Sequence, residues 1–331
     1  MGAVYMNACD FIMNEIKKQR IAVIGDIMLD RYFYGNVTRI SPEAPVPVNR
    51  IYKMKSVLGG AANVAANLAK LGCQVFIGGV TGDDENLPLI KQLMDELSIN
   101  NQGLVVSSHR KTITKIRVLG GQQQMLRMDF EETGELLSDE SYALKAWFSE
   151  LLDEGLDGVI ISDYAKGVCA NDFCQWVIKE AHYQNIPVLV DPKGDNWNKY
   201  TGCDFITPNL KELGDISGKT IPNEDTIVVD VAQDIRKSYS IQNIVVTRSE
   251  KGITVVNDDG VIHNPATAKE VFDVSGAGDT VAATLMACIA GKQSLADSIY
   301  VANRAAGIVV GKVGTYPVSG QELIDSVIED V

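Results

Sequence analysis

A chain of 331 residues holds either two average domains or one large α/β core with an appendage. Its 46% hydrophobic and 22% charged residues exclude a disordered or fibrous chain. The formal charge of −13, without a dense run of Lys and Arg, excludes a protein built to hold nucleic-acid backbones, although a few backbone amides suffice for the phosphates of a nucleotide.

In chain order, the apolar run 21–25 (IAVIG) reads as a buried parallel strand that leads through Gly25-Asp26 to Asp30. Residues 31–57 and 111–130 alternate polar and apolar positions without helical spacing, so each predicts a strand pair with turns. Pro42, Pro45 and Pro47 in the first of these stiffen the path and remove backbone donors. Helical spacing covers 61–71, 86–97, 139–153, 171–184 and 226–240. Strands are expected at 75–80, 158–161, 186–190, 204–207 and 243–247, and two Ala-, Val- and Ile-rich helices at 279–290 and 294–310.

This alternation predicts one α/β domain over 1–331, a doubly wound, mostly parallel sheet flanked by helices. The segments at about 31–57 and 111–130 then form a small β-structured lid over the cleft or, alternatively, an ordinary edge hairpin. Six scattered cysteines show neither paired CxxC spacing nor a Cys/His cluster, and read as reduced thiols. No stretch approaches a membrane span and the start lacks a signal-peptide pattern, so a cytoplasmic protein with no membrane partner is expected.

The most informative stretch is 273–280, Asp-Val-Ser-Gly-Ala-Gly-Asp-Thr, followed at once by an apolar helical run. Gly276, Ala277 and Gly278 are small enough for backbone amides to approach an anion, and a helix N-terminus adds partial positive charge. Asp279 at the same spot is a candidate general base for a hydroxyl that attacks a phosphate. The same residues also suit a plain glycine-rich turn with Asp or Thr as cap.

Two signatures, 273–280 and Leu58-Gly59-Gly60-Ala61-Ala62-Asn63-Val64-Ala65, resemble those of the PfkB, or ribokinase-like, carbohydrate kinases, in the expected order and far apart. The resemblance runs from Ile21 to about Val318 and implies a ribokinase-like fold, ATP and Mg²⁺. It includes Thr207-Pro208-Asn209-Leu210-Lys211-Glu212, which is similar to the family's Asn-x-x-Glu element and implies Glu212 and, through water, Asn209 as metal and phosphate residues. A simple helix start after Pro208 accounts for the same letters. By the same resemblance Thr247, Gly252, Asn303 and Gly307 border the nucleotide, and Asp273 is a candidate for a monovalent cation.

On the sugar side, Asp30 is expected at the C-terminal edge of the sheet and Asn63 at the head of the helix after Gly59 and Gly60. An Asn there also suits a helix cap. Arg39–Val48, Gln123–Asp129, Ser162–Gly167 and Asp191–Gly194 are similar to the branch of the family that phosphorylates O1 of a heptose 7-phosphate. A substrate already carrying a phosphate needs cations at its far end, and Arg127, Lys166 and Lys193 are candidates, though each also reads as an ordinary surface charge. The resemblance further implies a homodimer paired through the lid. Many relatives continue into a nucleotidyltransferase domain; with the chain ending at Val331, that step is expected on a separate protein.

Overall fold

The structure, a computed structural model, describes residues 9–328 apart from 122, 269 and 313; position 122, within the predicted 111–130 strand pair, lies outside the described residues. Along the chain come β1 (Arg20–Gly25), β2 (Ile27–Ile40), β3 (Pro47–Gly60), α1 (Ala61–Leu71), β4 (Gln74–Gly82), α2 (Leu87–Glu96) and β5 (Asn100–Ser107). Next are β6 (Ile113–Gly120), β7 (Gln123–Phe130), α3 (Ser138–Glu154), β8 (Gly158–Ser162), α4 (Asn171–Tyr183), β9 (Val188–Asp191) and β10 (Phe205–Ile206). The remainder is α5 (Leu210–Ser217), α6 (Asp225–Ser238), β11 (Asn243–Thr247), β12 (Ile253–Val256), β13 (Val261–Asn264), α7 (Ala277–Ala290), α8 (Leu295–Val309) and α9 (Gly320–Ile328).

Among the described residues the large sheet runs β13-β12-β11-β10-β9-β8-β1-β4-β5, parallel from β11 through β5 and antiparallel at the β11–β12–β13 edge. β1 shows why its strands are apolar throughout. Ile21 and Val23 enter the core layer built with α1, α7 and α8, whereas Ala22 and Ile24 enter the opposite layer with α3, α4 and α6. Burying a side chain such as Phe148 of α3 contributes about 1.5–3 kcal/mol, so both layers bind their helices firmly. Nearly every residue of α7 is buried, which is why its sequence is apolar all round.

A second sheet, in the order β3-β2-β6-β7, is made from the two segments read as strand pairs. Its strands reach further toward the core than expected. β2 starts at Ile27, and Ile27, Met28 and Leu29 are buried, so Asp30 belongs to this small sheet and not to the edge of β1 as the sequence suggests. At the other end of β3, Gly60 turns the chain into α1 with φ +57°, and a β-carbon there would lie 2.3 Å from the Asp26 carbonyl oxygen.

The hairpin β12–β13 was not anticipated. Four-residue strands give too short a run for alternation to declare itself, and the reversal before them depends on Gly252 at φ +77°. Among the described residues no helix is long and apolar enough to cross a membrane.

Candidate active site

The N-termini of α1 and α7 converge. Gly276 caps α7 with φ +79°, and a β-carbon there would come within 3.1 Å of the Asn63 amide nitrogen, so the turn closes against α1 only with glycine. Thr280 Oγ1 lies 3.0 Å from Asn67 Oδ1 and 2.9 Å from the Gly276 carbonyl, which ties the two helices one turn further in. Around the α-carbon of Gly278 there is open space. The start of α7 therefore presents a small-residue amide turn that an anion can approach.

Asp279 sits in the first turn of α7 with 8% of its surface exposed. Asn63 Nδ2 donates to its Oδ2 at 2.5 Å and Tyr164 Oη donates to its Oδ1 at 2.6 Å. Burial pushes the carboxyl above the ordinary carboxylate range; the Tyr164 and Asn63 hydrogen bonds pull the other way, and the neighbouring Asp30 adds to the rise. The result is a fixed, moderately basic carboxylate next to the amide turn, which is what proton abstraction from a hydroxyl requires.

Tyr164 reaches Asp279 because Asp26 shapes the loop after β8. The buried Asp26 carboxylate accepts from the amides of Tyr164 (2.9 Å), Lys166 (3.0 Å) and Val168 (3.1 Å). Ala165 within that loop holds φ +57°, and the Asp163 carboxylate accepts its amide at 2.6 Å. Neither Asp26 nor Tyr164 was singled out from sequence. The available signal was an Asp directly after the first strand, with partners 138 to 142 positions away.

On the lid side, Asp30 is buried and its Oδ1 accepts from Arg117 Nη1 at 2.6 Å. Gly59, which pairs with Met28 in the sheet, abuts the Asp30 carboxylate: a β-carbon there would lie 2.7 Å from Asp30 Oδ2, so a side chain at Gly59 would have to displace it. The three predicted far-end cations do not gather as one group. Arg127 grips Asp129 with two hydrogen bonds at 2.9 and 3.0 Å, and Lys166 pairs with Glu131 at 2.9 Å. Lys193 instead pairs with Glu212 at 2.9 Å, because it leaves the sheet at β9, beside the start of α5. Lys115, which the sequence reading passed over, bridges Asp129 (3.3 Å) and Glu131 (3.5 Å).

Asn209 and Glu212 form a reciprocal helix cap: Asn209 Oδ1 accepts from the Glu212 amide at 2.9 Å and Glu212 Oε2 accepts from the Asn209 amide at 3.0 Å. Their local role is thus the helix start, with Glu212 Oε1 turned to Lys193. Nearby Asp191 accepts from Thr207 Oγ1 at 3.1 Å, and burial followed by the charges of Asp279 and Glu212 raises its pKa well above the usual range. Among the described residues no group of three or more His, Cys, Asp or Glu is placed to hold a metal by itself.

The residues expected around the nucleotide cluster about one segment, 264–268. Asn303 Nδ2 donates to Asn264 Oδ1 and the Pro265 carbonyl, both at 2.6 Å. A β-carbon on Gly307 would meet Thr267 Oγ1 at 2.6 Å, and one on Gly252 would meet the Asn264 carbonyl at 2.2 Å. Thr247 ends β11 and bridges to Asn209, joining this group to the α5 cap. Asp273 accepts from the amides of Ser275 and Gly314, each at 2.9 Å. Burial opposes its ionisation, but these hydrogen bonds outweigh it and hold its pKa below the ordinary value.

Residues 18–321 match the model of the pfkB family carbohydrate kinases. The bifunctional protein HldE of Methylobacillus flagellatus is 47% identical over 303 residues, 92% of this chain and 62% of that protein. The D-beta-D-heptose 7-phosphate kinase of Bordetella bronchiseptica is 45% identical over 308 residues, 93% of this chain and 96% of that kinase. The chain thus spans about six tenths of the bifunctional relatives it matches. Among solved structures, phosphofructokinase-2 of Escherichia coli with its substrates and products superposes with a TM-score of 0.76 at 19% identity, covering 94% of this chain and 99% of that one. Ribokinase of Arabidopsis thaliana with ribose and ATP gives 0.73 at 18% identity, covering 94% and 99%. The fold is ribokinase-like, and the chain belongs to the pfkB family of carbohydrate kinases.

Proposed function

We propose that this chain transfers the γ-phosphoryl group of ATP to O1 of D-glycero-D-manno-heptose 7-phosphate, giving the 1,7-bisphosphate and ADP for ADP-heptose and lipopolysaccharide precursor synthesis. The observation that carries the phosphotransfer reading is Asp279, a buried carboxylate with a raised pKa, fixed between Asn63 and Tyr164 beside the Gly276–Gly278 turn. The choice of sugar rests on likeness to the Bordetella heptose 7-phosphate kinase over nearly its whole length.

In this reading Asp279 takes the O1 proton as the O1–phosphorus bond forms and the bond from phosphorus to the ADP oxygen breaks. The amides at 276–278 stabilise charge on the moving group, and Asp30 and Asn63 orient the sugar hydroxyls, with the backbone of Gly59 and Gly60 close by. Thr247, Gly252, Asn303 and Gly307 border the nucleotide around segment 264–268. A divalent ion, Mg²⁺ in this proposal, neutralises phosphate oxygens when bound. Asn209 and Glu212 fit it through water, because their oxygens already serve the helix cap and Lys193. A monovalent cation near Asp273 would sit against a carboxylate that stays ionised.

The small sheet acts as the lid, with segments 31–57 and 111–130 closing over the sugar in a single kinase domain. Arg127, on the lid, and Lys166, on the loop after β8, are the proposed far-end cations, whereas the pairing of Lys193 with Glu212 favours a role toward the nucleotide. Two copies pair through the lid, a reading supported by Tyr52 and Met54 of β3, each 64% exposed. The protein is proposed to work in the cytoplasm.

A panel of sugars in a coupled ADP assay tests the assignment. Heptose 7-phosphate is expected to give the highest kcat/KM; faster turnover of ribose or of a hexose phosphate would replace it with another sugar of the family.

A further inference from the structure

Arg248 directly follows Thr247 at the turn proposed to border the nucleotide, yet only 1% of its surface is exposed, so its guanidinium acts on protein groups and not on a ligand. Its nitrogens reach separate parts of the fold. Nε donates to Asn223 Oδ1 at 2.9 Å, Nη1 donates to Thr254 Oγ1 at 2.9 Å, and Nη2 lies 2.8 Å from Asp225 Oδ1. Asn223 and Asp225 stand at the entrance to α6, and Thr254 is on β12. Asn223 is held a second time, since its Nδ2 donates to the Arg248 carbonyl at 3.1 Å and to Glu250 Oε1 at 2.9 Å.

The contacts continue to the opposite side of the proposed nucleotide border. Thr254 Oγ1 accepts from Arg248, which leaves its own proton for His263 Nδ1, 2.9 Å away, and makes that ring nitrogen the acceptor. His263 pairs with Thr254 across β12 and β13 and is followed by Asn264, whose side chain accepts from Asn303 together with the Pro265 carbonyl. Within the turn, the Arg248 amide donates to the Gly252 carbonyl at 2.8 Å, and Gly252 in turn lies hard against the Asn264 carbonyl. One guanidinium therefore ties together the entrance to α6, the 247–252 turn and the strand that leads into segment 264–268.

A buried charge is a poor way to fill space, because an apolar side chain of similar volume packs without a desolvation penalty. What a guanidinium adds is a planar fork of donors in fixed directions. We propose that Arg248 is the positioning residue of the nucleotide site: it fixes the spacing between the 247–252 turn and segment 264–268, and so sets the affinity for ATP without touching it. The proposal rests on the nucleotide border described under the proposed function. Asp30, Asn63 and Gly59, on the sugar side, belong to other elements and make no contact with this network.

Steady-state kinetics with ATP and the sugar varied separately test this. Arg248→Lys keeps the charge but offers a single nitrogen, which cannot serve Asn223, Thr254 and Asp225 together; KM for ATP is expected to rise about tenfold, with kcat and the KM for the sugar each within about threefold. His263→Ala, at an exposed position, breaks only the far end of the network and is expected to raise KM for ATP about threefold, and in the double variant it should add little because both act through Thr254. A role in stability alone would lower the urea midpoint and leave KM for ATP at its native value, and that result overturns the proposal; an equal rise in both KM values overturns it too. Should Arg248→Lys fail to fold, His263→Ala and Asn223→Ala carry the same test. Asn303→Ala reads the border itself. If KM for ATP rises there but not in the other variants, the positioning role falls and the border stands; if it is unmoved in all of them, the border reading falls as well.

Discussion

Tyr164 donates a 2.6 Å hydrogen bond to Asp279 from a loop 115 positions earlier in the chain, and Asn63 of α1 holds the other oxygen of the same carboxylate at 2.5 Å. Both oxygens of the proposed base are thus held by neutral donors, and a sugar hydroxyl has to share or take one of these positions. Asp279 is also faced by Asp30 from β2 and by Asp191 from β9, so among the described residues its surroundings supply hydrogen bonds and negative charge without a paired cation.

The first expectation concerns pH. A base works ionised, so kcat/KM should fall as pH drops through the Asp279 pKa, which lies above the ordinary carboxylate range. The Tyr164 hydrogen bond lowers that pKa, so its removal in Tyr164→Phe should move the acidic limb to higher pH. A pH profile of kcat/KM reads this directly; a limb that stays in place would mean that the phenol does not tune the base.

Asp279→Asn removes the proton acceptor while keeping the shape. Turnover should drop by at least ~10²-fold with sugar binding retained, the low end for loss of general-base catalysis. Single-turnover kinetics and a sugar-binding titration separate the two effects, and near-normal turnover would reject Asp279 as the base.

The same substitution has a stability consequence with a definite sign. A carboxyl whose folded pKa is raised contributes stability below its unfolded pKa and loses it as pH rises through the folded value. Asp279→Asn should therefore unfold at a urea midpoint equal to or above that of the native chain at neutral pH, with the difference shrinking as pH falls through the folded pKa and vanishing only below the ordinary carboxylate value. A large loss of stability at neutral pH would contradict the raised pKa.

Asp26 is a purely structural target. Its carboxylate accepts three amides of the Tyr164–Val168 loop, and Asp26→Ala leaves those donors without their partner at a buried site. A cost of about 3 kcal/mol is expected in urea unfolding, accompanied by loss of turnover because Tyr164 is no longer aimed at Asp279.

For the metal, Glu212→Gln keeps a weaker cap but removes the charge facing Lys193. The Mg²⁺ concentration giving half-maximal rate should rise about tenfold or more, as when groups acting on a metal through water are altered. An unaltered Mg²⁺ dependence would restrict Glu212 to its cap and its pair with Lys193.

Much of the architecture is readable from local pattern. The runs 21–25, 158–161 and 243–247 are apolar on both faces because helices cover both sides of β1, β8 and β11, and the spacing at 61–71 and 139–153 marks α1 and α3 to within a residue. Asp30 shows the limit. Its place depends on the chain entering the small sheet at Ile27, which no local periodicity announces. Lys193 shows the same limit at the site, because a lysine's partner is set by which strand ends near which helix.

The sequence by itself determined the strand and helix alternation, the glycine turn before α7 and the candidate base within it, since these follow from side-chain size, spacing and backbone freedom over a few residues. Only the tertiary structure decided that Asn63 and Tyr164 hold Asp279, that Arg117 engages Asp30, and that Lys115 and Lys166 share Glu131. Hydrogen bonds and ion pairs act over about 3 Å in space, and the pairs made here span 16 to 216 positions along the chain, a separation over which composition and period carry no information.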